Sequence, residues 1–208
     1  HQHTVVIDDA VAATCTDTGL TAGTHCSECG EIIVAQTIIP KKHSFVDRVC
    51  EICGETEESI GLSYKVIGNN TCYISGIGTC TDFNIKIPTY IDGYKVTSIG
   101  DHAFAGCSSL TSVVIPDSVT RMGESAFTGC ISLTSIVIPN SVTSIGNAVF
   151  LGCASLTSIV IPDSVTSIGS GAFYSCSNLT SIAISDSVTS IGNEAFWSCS
   201  SLTSVVIP

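Results

Sequence analysis

The sequence predicts a mainly β, right-handed solenoid that carries a β-hairpin cap and follows a small Cys-rich β module. Three observations predict it. Cys107, Cys130, Cys153, Cys176 and Cys199 recur every 23 residues. In each copy a short apolar stretch such as Ile136-Val137-Ile138 alternates sides as a strand does. Pro-Asp and Gly then punctuate the copy at constant offsets, where a coil must bend.

The columns justify each element in turn. Leu110, Leu133, Leu156, Leu179 and Leu202 open the unit. Val113, Ile136, Ile159, Ile182 and Val205 form the next column, then Ile115, Ile138, Ile161, Ile184 and Ile207. Copies of this strand are expected to stack in register, about 4.8 Å apart, as a parallel ladder. Pro116-Asp117 and Pro162-Asp163 turn the chain, with Pro presetting φ and the Asp side chain expected to cap the following amides. Val119, Val142, Val165 and Val188 lead into a second short extended piece ending at Met122, Ile145, Ile168 and Ile191. A Gly follows at 123, 146, 169 and 192, where the next bend needs it. Ala-Phe-x-x-Cys is expected to be a short helical or 3₁₀ turn that points Phe104, Phe127, Phe150, Phe173 and Phe196 inward. A fixed period in the range of about 20–29 residues with a Leu skeleton is the signature of a leucine-rich-repeat solenoid. No coil can bury its own apolar edge, so stability is a sum over neighbours.

On those residues the unit LTSIVIPDSVTSIGxxAFxxCxS resembles the BspA-like class of leucine-rich repeats, over residues 83–208. The resemblance implies an exported or cell-surface protein of the kind found on bacteria and some protozoa. Some members of the class act in adhesion to host or matrix proteins.

The first copy departs from the pattern. Pro88 aligns with Pro116, but five residues are inserted around Tyr90-Ile91-Asp92-Gly93-Tyr94-Lys95, and Asp82 stands where Leu is expected. An atypical terminal repeat suits a cap. Within 61–82, Leu62 to Cys80 reads as a β-hairpin turning at Gly68-Asn69-Asn70, expected to cover the open edge of the ladder. After Pro208 the array is expected to continue, or to have that edge covered by another molecule.

The 12 cysteines fall into three groups. The five periodic ones are expected to be free, buried thiols at a tight turn. Cys72 and Cys80 flank the hairpin and are candidates for a disulfide that staples it, against two half-buried thiols. Residues 1–60 hold the rest. Cys26-Ser-Glu-Cys29-Gly and Cys50-Glu-Ile-Cys53-Gly are two C-x-x-C-G knuckles, which could together hold a structural Zn²⁺. Cys15, His3, His25 and His43 are further ligand candidates. His3-Thr-Val-Val and His43-Ser-Phe-Val echo one another 40 residues apart, each followed by a C-x-x-C. A second arrangement is therefore His3, Cys15, Cys26 and Cys29 in one unit, with His43, Cys50 and Cys53 as a shortened second. The segment also resembles small Cys/His modules that accompany bacterial surface repeats, which does not choose the ligands. Zinc, disulfides and reduced thiols all remain open; export favours disulfides and the doubled spacing favours zinc. No βαβ pattern surrounds either knuckle, which argues against a thioredoxin-like role.

Charged residues are only 12% of the chain and the formal charge is −11, which argues against nucleic acid or an anionic membrane as partner. No apolar run approaches the ~18 residues that span a bilayer. The chain opens at His1 without a leader and is expected to be a trimmed product. No nucleophile elbow, zincin helix motif or phosphate loop occurs, so no catalytic residue is nominated. Gly76-Ile-Gly78 reads as hairpin chemistry, Asp8-Asp9 as solvated surface, and His102 as a lone surface histidine. The column Asp117, Asn140, Asp163, Asp186 reads as turn-forming residues. The strand-face columns Thr111/Thr134/Thr157/Thr180/Thr203 and Val114/Val137/Val160/Ala183/Val206 are nearly invariant and uncharged. Variation sits on the turn side, where Tyr174 and Trp197 are candidate ligand contacts, since exposed aromatics anchor interfaces. The expected function is secreted or cell-surface binding of a host or matrix protein or glycan. A structural spacer in a larger surface protein is the competing reading.

Overall fold

The structure is a computed structural model that describes residues 4–11, 19–36, 38–39, 45–46, 49–50, 58–203 and 205. The chain divides into two compact units, His1–Glu57 and Glu58–Pro208.

In the first unit, β1 (Val5–Asp8), β3 (Gly23–Cys26) and β4 (Ile32–Val34) form an antiparallel sheet in the order β1-β3-β4. Two antiparallel pairs accompany it: β2 (Gly19–Leu20) with β5 (Ile38–Ile39), and β6 (Phe45–Val46) with β7 (Val49–Cys50). Of the unit's residues whose burial is described, only Gly23 and Cys26 are buried, while Ile7 and Ile32 are each 69% exposed.

The second unit is the solenoid. It begins with the expected hairpin, β8 (Ser63–Ile67) and β9 (Thr71–Gly76), which turns through left-handed Gly68 and Asn70. β10 (Asn84–Lys86) starts the first ladder. The inserted residues form a second hairpin of β11 (Tyr90–Ile91) with the start of β12 (Tyr94–Ile99). Asp92 and Gly93 both have positive φ, 49° and 84°, as a tight two-residue hairpin turn demands. β9 pairs parallel with β12, and β12 parallel with β14 (Arg121–Met122), so the hairpin continues the second ladder and covers its first edge. The first ladder is covered by Ser59. Its N–H donates to the Lys86 carbonyl, its Oγ accepts from the Lys86 N–H at 3.1 Å, and its hydroxyl donates to Asp82 at 2.6 Å. That bond is a use for the Asp that replaces the expected Leu.

Each later coil adds one strand to either ladder. The first ladder continues through β13 (Ser112–Val114), β15 (Ser135–Val137), β17 (Ser158–Val160) and β19 (Ser181–Ala183). The second continues through β16 (Ser144–Ile145), β18 (Ser167–Ile168) and β20 (Ser190–Ile191). Paired strands run parallel, with partners 23 residues apart once the insertion is passed. The Pro turns differ from expectation. Val119, Val142 and Val165 donate their N–H to the carbonyls of Pro116, Pro139 and Pro162, so the backbone closes each turn and the Asp carboxylate does not. The Phe side contains no helix among the described residues. Ala105 donates to His102 and Cys107 to Phe104, a run of 3₁₀-type turns.

The core is a set of columns. Phe104, Phe127, Phe150 and Phe173 are fully buried and, with Phe196, stack with ring centroids 5.1–5.8 Å apart. Such stacking adds about 0.5–1.5 kcal/mol per pair beyond the area buried.

The ladders are not continuous. Thr120 donates to Thr97, Thr166 to Thr143, and Thr189 to Thr166. Gly123, Gly169 and Gly192 likewise donate to Ile99, Ile145 and Ile168. The corresponding bonds from Thr143 and Gly146 to Thr120 and Met122 are absent, as is the one from Thr157 to Thr134. Residues 120–138 and 143–161 thus face each other across a seam in which β14 does not pair with β16, nor β15 with β17. Ser141 Oγ on the Val119 carbonyl and the turn-side bonds from Ser125, Phe127 and Gly129 still bridge it. One oversized residue sits at its start, buried Val149 in a column otherwise of Ala103, Ala126, Ala172 and Ala195, and unbranched Met122 interrupts a column of Ile beside it. Extra volume in a close-packed column displaces its neighbours.

Candidate functional site

Polar columns that look suited to a ligand are used inside the solenoid. Thr134 Oγ1 donates to the Thr111 carbonyl and Thr180 Oγ1 to Thr157, each at 3.0 Å. Thr120, Thr166 and Thr189 do the same on the second ladder. Ser164 Oγ donates to Val142 at 2.6 Å. These hydroxyls tie a coil to the one before it everywhere but at the seam, where Thr143 and Thr157 make no such bond, and this accounts for most of their near-invariance without a ligand.

The periodic cysteines are thiols. Cys130, Cys153, Cys176 and Cys199 donate Sγ–H to the carbonyls of Phe104, Phe127, Phe150 and Phe173 at 3.1–3.2 Å. Burial pushes Cys130 and Cys176 up to about 12, and raises Cys107, Cys153 and Cys199 as well. Buried thiols of raised pKa are poor nucleophiles, so this spine is structural. The sign of its effect on stability follows from linkage. The folded thiols stay protonated while unfolded ones ionise near their ordinary value of about 9, so their contribution is full below that value and declines as pH rises toward about 12. Melting temperature is therefore expected to fall above pH ~9. Replacing Cys130, Cys153 and Cys176 together by Ala should flatten that fall, as a pH series of thermal melts would show.

Of the two alternatives for Cys72 and Cys80, a disulfide staple or two thiols, the structure has the thiols. Both are buried thiols, Cys72 on β9 within 3.8 Å of the Tyr94 carbonyl and Cys80 beside Asp82 and Ser59. Each faces its own polar neighbour, and desolvation raises both pKa values.

In the first unit, Cys26 closes β3 and is fully buried, whereas Cys29 is exposed. Gly30 donates its N–H to the Cys26 carbonyl at 2.9 Å and has φ +73°, while Cys26 donates to the Glu31 carbonyl at 2.9 Å. His25, a spare ligand candidate, has Nδ1 2.9 Å from Asp8 Oδ1. Cys50 lies in β7. Cys53, Cys15, His3 and His43 fall outside the described residues. Among the described residues no cluster of three or more His, Cys, Asp or Glu is poised around one point.

Two outward surfaces remain. On the turn side, Trp197 is 59% exposed and Tyr174 half-buried, in one column with Leu151 and Thr128. On the first ladder, Ser112, Ser135, Ser158 and Ser181 flank a stripe of Val114, Val137, Val160 and Ala183. Val137 and Val160 are 65% and 70% exposed. Sequence reasoning singled out the aromatics and passed over the valines, because their invariance reads as framework; the alternation of burial along each strand is the signal that finds them. Phe83 is a third outward residue, at a groove of Ile77, Cys80, Cys107 and Leu110 beside the first turn. Among the described residues no helix is long and apolar enough to cross a membrane.

The family model for BspA-type leucine-rich repeat regions matches residues 84–208 in six copies. Three crystal structures share the fold. A leucine-rich repeat protein of T. pallidum is 32% identical with a TM-score of 0.65, over 70% of this chain and 69% of that one. A leucine-rich repeat protein of Bacteroides ovatus is 38% identical with a TM-score of 0.60, over 68% of this chain and 38% of its own. A leucine-rich cell surface protein of Faecalibacterium prausnitzii is 36% identical with a TM-score of 0.63, over 71% and 39%. The matches thus span well under half of the B. ovatus and F. prausnitzii proteins. Curated proteins provide no match.

Proposed function

The chain belongs to the BspA-type leucine-rich-repeat family, and from that premise we propose that its solenoid is a non-catalytic protein-binding scaffold, secreted or held at a cell surface, that engages a host or matrix protein. The family is one of protein-interaction scaffolds. The observation that carries the proposal is the valine stripe. Val114, Val137 and Val160 stand outward at successive coils, bordered by serine and threonine hydroxyls, with Lys86 of β10 the charged residue that ends their column. An apolar line inside a neutral polar rim has the anatomy of a protein interface. No acidic residue stands in this column, whose one charge is the Lys86 cation at its first strand. Tyr174 and Trp197 offer a second contact on the turn side.

The test is a binding screen of the chain against matrix proteins and glycans, with Val137→Glu/Val160→Glu beside it. Both side chains point outward, so the variant should keep its circular dichroism and melting temperature. It should lose at least about tenfold in affinity for a protein ligand, on the order of 1.4 kcal/mol. A ligand that the double variant still binds unchanged, while Trp197→Ala abolishes binding, would move the site to the turn side. Binding to glycans alone would replace the partner class. The spacer reading also has an observation behind it, since the outward columns barely vary between coils; a solenoid that binds nothing in the screen would decide for it.

A further inference from the structure

We propose that Cys26 and Cys29 hold a structural Zn²⁺ that belongs to the first half of the N-terminal unit and is not shared with the Cys50–Cys53 pair. The knuckle has the backbone for it. β3 delivers Cys26, the chain reverses within three residues, and the Gly30 N–H returns to the Cys26 carbonyl. Gly30 needs its left-handed φ of +73° for this, and nothing within 4 Å would oppose a side chain there. The glycine is thus explained by conformation and not by crowding. Two thiols on one such turn form half of a tetrahedral site for a borderline-soft cation.

Little apolar burial is found among the unit's described residues. The unit buries Cys26 completely, yet around it Ile7 and Ile32 are mostly exposed. A small unit that buries few apolar residues is commonly held by metal or disulfide, and among its residues of described burial only Gly23 and Cys26 are buried.

Strand register decides between the two ligand arrangements that the spacing leaves open. Val5 pairs with Cys26, and Phe45 pairs with Cys50. Val5 is the second residue after His3, and Phe45 the second after His43. The first cysteine of each C-x-x-C is therefore paired with the strand that follows its own histidine. The two segments share this register, although the first pairing joins residues 21 apart and the second residues 5 apart, and neither pairing uses the other segment's cysteines. Thr4 adds a further tie within the first copy, since its carbonyl accepts the Ser27 N–H at 3.0 Å inside the knuckle. A single four-thiolate site made from both knuckles leaves this duplicated register without a purpose.

The experiment measures zinc by elemental analysis on the full chain, purified in reductant without chelator, with intact mass and alkylation read in parallel. Cys26→Ser is expected to lose one equivalent. Cys50→Ser/Cys53→Ser is expected to retain the Cys26-dependent equivalent. Because either change could unfold a small unit, Co²⁺ replaces Zn²⁺ in a second measurement. Thiolate-to-cobalt charge transfer and tetrahedral d–d bands should persist in Cys50→Ser/Cys53→Ser with two fewer thiolates in that chain. The proposal is overturned if Cys50→Ser/Cys53→Ser abolishes both the zinc and the cobalt signal, which is the shared four-thiolate site. It is equally overturned if the unsubstituted chain carries no zinc, or has a mass short of two hydrogens at an alkylation-resistant Cys26–Cys29 pair.

Discussion

Phe150→Ala is expected to lower the unfolding free energy by about 3–5 kcal/mol, the largest loss available from a single core side chain. Phe150 is fully buried and stacks on both sides, 5.8 Å from Phe127 and 5.3 Å from Phe173. Its removal deletes two ring contacts and leaves a cavity that parallel coils cannot easily close, because Phe127 N–H and Phe150 N–H are bonded to the next turns. Phe196 is only partly buried and stacks on Phe173 alone among the described rings. Phe196→Ala should cost clearly less. Urea titration of both variants measures the difference, and the chain's single tryptophan, Trp197, reports from the coil that carries Phe196. Equal costs for the two would mean that the column does not behave as a continuous stack.

A pair of glycines on the same column should respond with opposite signs. A Cβ at Gly169 would stand 2.6 Å from the Gly146 carbonyl carbon and 2.7 Å from the Asn147 nitrogen. Those atoms are backbone of the neighbouring coil and cannot swing away. Gly169→Ala is therefore expected to destabilise by about 3 kcal/mol, the upper end of overpacking costs. At Gly146 the nearest atom is the Met122 carbonyl oxygen at 3.4 Å, an ordinary contact, because the seam has opened there. Gly146 does not adopt a positive φ. Gly146→Ala should thus be neutral or stabilise by up to about 1 kcal/mol, through the lower entropy of the unfolded chain. Thermal and urea denaturation of the two single variants decide it. A Gly146→Ala variant as damaged as Gly169→Ala would show that the coils close up in solution.

Much of the solenoid was legible because repetition converts spacing into contact. The Leu, Ile, Val and Phe columns name the buried residues, and Gly68-Asn69-Asn70 names the capping hairpin. The inserted residues were visible as an offset at Tyr90–Lys95, but not as a hairpin, since Asp92-Gly93 is informative only once its flanks are known to pair. The roles of Thr134 and Ser164 were hidden, because a hydroxyl reads alike whether it meets solvent or a carbonyl 22 or 23 residues back. The seam was hidden for a different reason. Val149 and Met122 are conservative in polarity, and only the volume of the one against Ala and the shape of the other against Ile set them apart. Cys72 and Cys80 lie close in sequence, yet the ladder and the turn assign them different polar partners.

A linear array holds together by nearest-neighbour coupling, and its cooperativity is only as long-ranged as its weakest junction. The interrupted junction between residues 120–138 and 143–161 divides the repeats into two blocks that share the aromatic column but not a full set of interstrand bonds. Fraying that starts at either terminus meets a natural stopping point there. Rigidity imposed on one block by a bound partner is correspondingly damped before it reaches the other.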